Sequence, residues 1–246
     1  MLNPKLLIRC AFGLALLTVV GCSKNNPVAP TPSTSSIAVN STGTTLFLGS
    51  AETFTAVSTL SNGTTQATTG TWTSDAQAIA TVDGTGRVSG VASGDATISV
   101  DAGGVRGSKR IRVLPNYQGS WLGNYIIDGC SSIGPSPWTT ACSLGFPNGK
   151  SFTLAFQFTQ ANGIVSGTAA QNAVLSNQFS SSVQGNGAVT AQAVGNLGTT
   201  SSSQTWNLQS TTDGRIAGTL RFVYTDTSVA VGSATVTATL SNVNRQ

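Results

Sequence analysis

Phe152-Thr153-Leu154-Ala155-Phe156-Gln157-Phe158-Thr159 places a bulky apolar side chain at every second position and a small or polar one between. In an extended strand successive side chains point to opposite faces, so this stretch has one face for a core and one for water. The same division recurs in Ile216, Gly218, Leu220, Phe222 and Tyr224. It returns in Ala234, Val236, Ala238 and Leu240, set against Thr235, Thr237, Thr239 and Ser241. Between and around these runs, turn residues stand at Asn162-Gly163, Gly185-Asn186-Gly187, Asn196 and Asp213-Gly214. Residues 116–246 therefore read as about eight antiparallel strands, from 119–127 to 232–243, joined in series as an up-and-down β-barrel. A transmembrane barrel would put its apolar face outward around a polar lumen, whereas Thr and Ser on the second face suit a soluble barrel.

Upstream, residues 37–115 also alternate in short segments without helical periodicity: 36–40, 44–49, 52–60, 70–74, 78–83, 87–92, 96–102 and 109–114. Asn62-Gly63, Asp83-Gly84 with Gly86, Ser93-Gly94 and Gly103-Gly104 mark turns, where a positive φ is cheap. So many short strands in so little chain predict a β-sandwich, ended at Leu114-Pro115-Asn116 because proline cannot donate to a ladder. The chain is thus expected to be all-β, a sandwich followed by a barrel.

Four runs make the first region more specific: Thr71-Trp72-Thr73-Ser74-Asp75, Ile79-Ala80-Thr81-Val82-Asp83, Gly86-Arg87-Val88-Ser89-Gly90-Val91 and Gly94-Asp95-Ala96-Thr97-Ile98. They resemble the group 2 bacterial immunoglobulin-like family, with its W-S-S, A-T-V-D, G-x-V-T-G-V and G-x-A-T-I at these spacings. The resemblance covers about a third of the chain and implies a small Ig-like sandwich of the kind used as spacer or adhesion module at cell surfaces. It transfers no catalytic residue. Trp72 is read as core, and Asp83 and Asp95 as turn residues, with calcium at Asp75, Asp83, Asp95 and Asp101 as the sharper alternative. The cluster Arg106, Lys109, Arg110 and Arg112 reads as edge protection or as a contact for anionic headgroups or glycans.

Composition narrows function. The 246 residues include no histidine, 8 acidic and 12 basic side chains, and about a quarter are Ser or Thr. Chemistry that needs imidazole is impossible, and scattered carboxylates argue against paired-carboxylate catalysis. No cofactor, resident metal or enzymatic role is expected. The net charge of +4 falls to near +2 without Lys5 and Arg9, too weak and too dispersed for nucleic acid.

Lys5 and Arg9, followed by the apolar run to Val20, read as a signal peptide over residues 1–21. Val19-Val20-Gly21-Cys22 resembles the lipobox of bacterial lipoproteins. That resemblance implies acylation of Cys22 and membrane attachment without a spanning helix, and Ser23 after it points to the outer membrane. Residues 22–36, rich in Pro, Ser and Thr, read as an extended tether. Cys10 lies in the signal and Cys22 at the anchor, leaving Cys130 and Cys142 as a disulfide in an oxidising compartment; a metal or redox pair is the alternative, without CxxC spacing or histidine in its favour.

In the second region Gly119-Ser120-Trp121 and Gly163-Ile164-Val165-Ser166-Gly167-Thr168 resemble, over a short span, the opening G-x-W and a G-x-x-x-G-T strand of the lipocalin and avidin superfamily. No ligand residue carries over. The candidate ligand-binding residues come from the residues themselves: Phe156, Trp206 and Phe222 on inward faces, and Trp138 between Pro137 and Thr139 in the Cys130–Cys142 loop. Trp138 could serve as a recognition element or fold back as a lid on the barrel end. The expected function is a lipid-anchored envelope or surface protein whose Ig-like module presents a β-barrel to glycans or surface proteins. The alternative is a carrier of a small apolar ligand inside that barrel.

Overall fold

The structure, a computed structural model, describes residues 30–171, 175–226, 228 and 231–246. The signal peptide, Cys22 and the tether up to residue 29 lie outside the described residues. From Ser33 to Gln246 the chain forms one compact unit.

Its first part is a sandwich of ten short strands: β1 (Thr34–Asn40), β2 (Thr45–Phe47), β3 (Ala51–Thr53), β4 (Thr55–Leu60), β5 (Thr65–Thr68), β6 (Thr71–Ser74), β7 (Ala80–Val82), β8 (Arg87–Gly90), β9 (Gly94–Ala102) and β10 (Val105–Leu114). They form three sheets, in the orders β1-β4-β5, β2-β10-β9-β6 and β3-β8-β7. The sandwich begins before the expected residue 37, because Thr34 and Ser36 already pair with Leu60 and Thr59 of β4. The segment expected as one strand over 52–60 is two strands in different sheets. The chain changes sheet at Phe54, whose side chain is buried and whose N–H donates to the Gly86 carbonyl at 2.8 Å. β5, TQAT, carries no large apolar residue and gave no signal, yet completes the edge beside β4. Val88, Ile98, Val100, Ile111 and Val113 form the core, and the half-buried Trp72 packs on it.

The second part is one eight-stranded antiparallel sheet: β11 (Gly119–Ile133), β12 (Ser151–Ala161), β13 (Ile164–Gln171), β14 (Leu175–Ser182), β15 (Val189–Leu197), β16 (Thr200–Ser210), β17 (Ile216–Asp226) and β18 (Gly232–Arg245). The order β14-β13-β12-β11-β18-β17-β16-β15 is a meander whose first and last strands pair. β14 and β15 face each other across a seam where, among the described residues, one backbone bridge joins Val183 to Val189 and Ser181 Oγ donates to the Thr190 carbonyl, so the barrel is nearly closed. Asn162-Gly163 makes the expected two-residue turn, with φ of 50° and 78°, both in the left-handed region that Asn and Gly tolerate. Asn196, expected at a turn, stays in β15 opposite Ser201; the chain turns instead at Gly198, φ 61°.

Alternation sends Leu154, Phe156, Phe158, Leu220, Phe222, Val236 and Ala238 inward, while Thr153, Gln157, Thr159, Thr237 and Thr239 face out. That is the inside-apolar arrangement the sequence predicted.

Candidate functional site

Two places in the barrel domain gather chemistry: the interior with its covered end, and the junction with the Ig-like part. A chain of rings runs through the interior. Phe158 contacts Phe156 at 4.7 Å between centroids, Phe156 meets Trp206 edge-on at 5.2 Å, and Trp206 meets Phe222 edge-on at 6.2 Å. Phe222 continues to Tyr125, and Tyr125 stacks on Phe152 at 5.3 Å. Three of the sequence candidates, Phe156, Trp206 and Phe222, are therefore neighbours and fully buried. β13, β15 and β18 contribute small inward side chains, Ala169, Ala191, Ala193 and Ala238.

The fourth candidate, Trp138, is elsewhere. The 134–150 connection between β11 and β12 contains a short helical turn, α1 (Trp138–Thr140), followed by a π-helical turn, Ala141–Gly145, and is stapled back to β11 by the Cys130–Cys142 disulfide, with 5.4 Å between Cα atoms. The loop does not present Trp138 to solvent: the side chain is 8% exposed. Its indole fills the space left by the missing Cβ of Gly232, where an added Cβ would lie 2.1 Å from Cδ1. A second aromatic of this connection, Phe146, which the sequence did not single out, packs on the barrel's core, stacking on Tyr224 at 5.6 Å and packing on Phe152. Burial pushes the Tyr224 hydroxyl up to about 12, and burial with the neighbouring Tyr224 raises that of Tyr125 further, so both stay neutral hydrogen-bonding groups at ordinary pH.

Polar groups in this interior were also missed by sequence reading. Gln171 and Gln204 are almost fully buried, and Gln171 Nε2 donates to Gln204 Oε1 at 2.9 Å. Among the described residues, the buried side-chain nitrogens without a partner are Gln204 Nε2, Trp206 Nε1 and Trp138 Nε1.

At the other end of the barrel, residues 115–117 are tied to it rather than forming a loose linker. Tyr117 is buried; its hydroxyl donates to the Gly187 carbonyl at 2.8 Å and accepts the Ser210 N–H at 2.9 Å. Its N–H donates to Gln160 Oε1, and its carbonyl accepts Trp121 Nε1. From the Ig-like side Arg112 binds Asp95 through two nitrogens and donates a third to the Gly185 carbonyl at 3.0 Å. Asp95, read from sequence as a turn residue, is thus an ion-pair partner within β9, and Arg110 shares it. Pro115, Arg112, Asp95, Asn186, Gln209 and Ser210 line a cleft of about 260 Å³ at this junction. Asp83 behaves as the turn residue expected, accepting from Thr85 and Arg87, and Asp75 accepts the Thr97 N–H at 2.6 Å. These hydrogen bonds hold the Asp75 and Asp83 carboxyls below their ordinary value.

No curated protein matches the chain. Among solved structures it is similar to domains 5–6 of the surface layer protein SbsC, at 17% identity and a TM-score of 0.29, covering 84% of this chain and 98% of that one. A longer piece of the same protein, domains 4–9, matches at the same identity and TM-score over 31% of its length. Residues 33–113, the span of the ten-stranded sandwich, match the family model of the bacterial Ig-like domain (group 2).

Proposed function

We propose that the protein is a cell-envelope module, held to the outer membrane by a lipid on Cys22, whose Ig-like domain carries the barrel as a binding or structural head. The family match over residues 33–113 carries this reading, and the Gly21-Cys22 sequence supplies the anchor. The head is presented as one body with its support, because Arg112 and Tyr117 tie the junction together. The reading is of a non-enzymatic role, supported by a sequence without histidine and by hydrogen bonds that hold the Asp75, Asp83 and Asp226 carboxyls below their ordinary value. Partners of this reading are glycans or surface proteins. Labelling with radioactive palmitate tests the anchor. The full chain should take up label and sediment with outer membranes, and Cys22→Ala should lose both properties; equal labelling of the variant would refute the anchor.

The second reading is a carrier of a small apolar ligand inside the barrel. Buried alanines beside Phe156, Trp206 and Phe222, together with buried donors that lack partners, favour it.

A further inference from the structure

We infer that the groove between the Ig-like sandwich and the barrel is a binding site for a neutral oligosaccharide, laid across the Arg112–Asp95 pair. The inference rests on the envelope-module reading with glycan partners, and it names the site that takes them.

The cleft of about 260 Å³ at the junction is not isolated. Asp95, Arg112 and Gly185 also line a second cleft, of about 340 Å³, which continues along Thr44, Thr45 and Arg110. In the other direction Ser93 and Ser210 lead into a third, of about 230 Å³, walled by Leu48 and Val91 of the sandwich and by Thr211 and Thr212 of the barrel. The three share lining residues and so make one furrow along the junction, with the Arg112 guanidinium between its two halves. Ligand sites favour such seams between modules. A long furrow suits a chain of rings better than one compact molecule.

The lining sets the ligand's chemistry. Asn186 and Gln209 bring amides from the barrel, and backbone partners fix both: Asn186 Oδ1 accepts the Ala188 N–H at 3.0 Å, and Gln209 Nε2 donates to the Asn186 carbonyl at 3.4 Å. Asn186 thus keeps Nδ2 donors and Gln209 an Oε1 acceptor for a ligand. Ser93, Thr44 and Thr45 add hydroxyls. A sugar hydroxyl both donates and accepts, so it can meet each of these groups.

Charge and backbone pairing narrow the class further. Arg110 and Arg112 share Asp95, and Arg110 also acts on the Asp75 carboxyl, so two cations meet two anions and nothing selects an acid. The half-exposed Val91 and the Pro115 ring offer apolar surface to a pyranose face. An extended peptide binds best by adding to a strand edge, but β10 here already pairs with β9 on one side and β2 on the other.

The test uses the full disulfide-bonded chain, titrated with cellotetraose, maltotetraose and chitotetraose as neutral probes, tetragalacturonate as an acid and tetraserine as a peptide. Side-chain amide signals of Asn186 and Gln209 in nitrogen-15 correlation spectra report the site, assigned by their loss in Asn186→Ala and Gln209→Ala. At least one neutral tetrasaccharide should move both signals and bind with a Kd of about 1 mM or tighter. Gln209→Ala and Arg110→Ala should each weaken that probe about five- to tenfold with little change in unfolding midpoint, since both side chains are exposed. Tetragalacturonate binding about tenfold more tightly than every neutral probe would overturn the inference, and so would tetraserine binding in their place, which would give the furrow to a protein partner. Sugar binding that moves other signals and leaves these two still would keep the glycan partners and overturn the site. Silence from all three neutral sugars would also overturn it, while the envelope reading would still stand or fall by the palmitate labelling of Cys22.

Discussion

Asp95 holds Arg112 by both carboxylate oxygens, Nε to Oδ1 at 2.6 Å and Nη2 to Oδ2 at 2.7 Å, and so fixes the guanidinium whose remaining nitrogen reaches Gly185 in the barrel. The paired guanidinium lowers the Asp95 carboxyl from 3.8 to about 2. A lowered folded value means stability that is full above the unfolded pKa and lost as pH falls through the folded one. Wild type and Asp95→Asn should therefore differ by a constant amount from pH 7 to about pH 5, and converge between about pH 4 and 2. Denaturant midpoints across that range check it, and a difference undiminished at pH 2 would refute it.

Tyr117→Phe removes a hydroxyl that both donates to Gly187 and accepts from Ser210. Leaving those backbone groups without their partner should destabilise the protein by about 1–3 kcal/mol, read by chemical unfolding. Burial raises this hydroxyl from 10.0 to about 12. The neutral form is favoured in the fold, so its contribution is complete below pH 10 and fades as pH rises towards 12. Part of the alkaline loss of stability should be absent in the Phe variant.

Gly232→Ala puts a methyl where the Trp138 indole lies. The ring must leave its seat, exposing apolar surface, with a cost of about 1–3 kcal/mol. Near-ultraviolet circular dichroism should lose intensity, and tryptophan emission should shift to the red. Gly145→Ala, where an added Cβ meets nothing within 4 Å, should leave both spectra unchanged.

Replacing Cys130 and Cys142 together by alanine opens a loop of 12 positions. The chain-entropy account gives a loss of about 3 kcal/mol, measurable by comparing oxidised wild type with the double variant. The cover should loosen first, so proteolysis should begin within residues 134–150.

Much of the architecture was legible because period-two alternation is a local property. β12, β17 and β18 advertise their faces residue by residue, and Gly103-Gly104 and Asn162-Gly163 mark their hairpins through positive φ alone. What stayed hidden depends on residues far apart in the chain. Arg112 meets Gly185 across 73 positions, and Tyr117 meets Ser210 across 93. The Gln171–Gln204 amide pair is equally nonlocal, since a glutamine reads as a surface residue until the strand order is known. The cover split the same way: the disulfide followed from counting cysteines, but the seats of Trp138 on Gly232 and of Phe146 on Tyr224 depended on strands far along the chain.

β11 is the first strand of the barrel in the chain and finds its second neighbour only in β18, the last. Until residues 232–245 emerge, β11 offers a bare edge, Trp138 lacks the Gly232 surface it rests on, and Tyr125 and Cys130 lack Leu240 and Val236 as pairing partners. A chain synthesised amino end first thus delivers its keystone last, keeping the barrel open until β18 has been made. The Ig-like sandwich, complete by Leu114, faces no such delay and can fold while the rest of the chain is still being made.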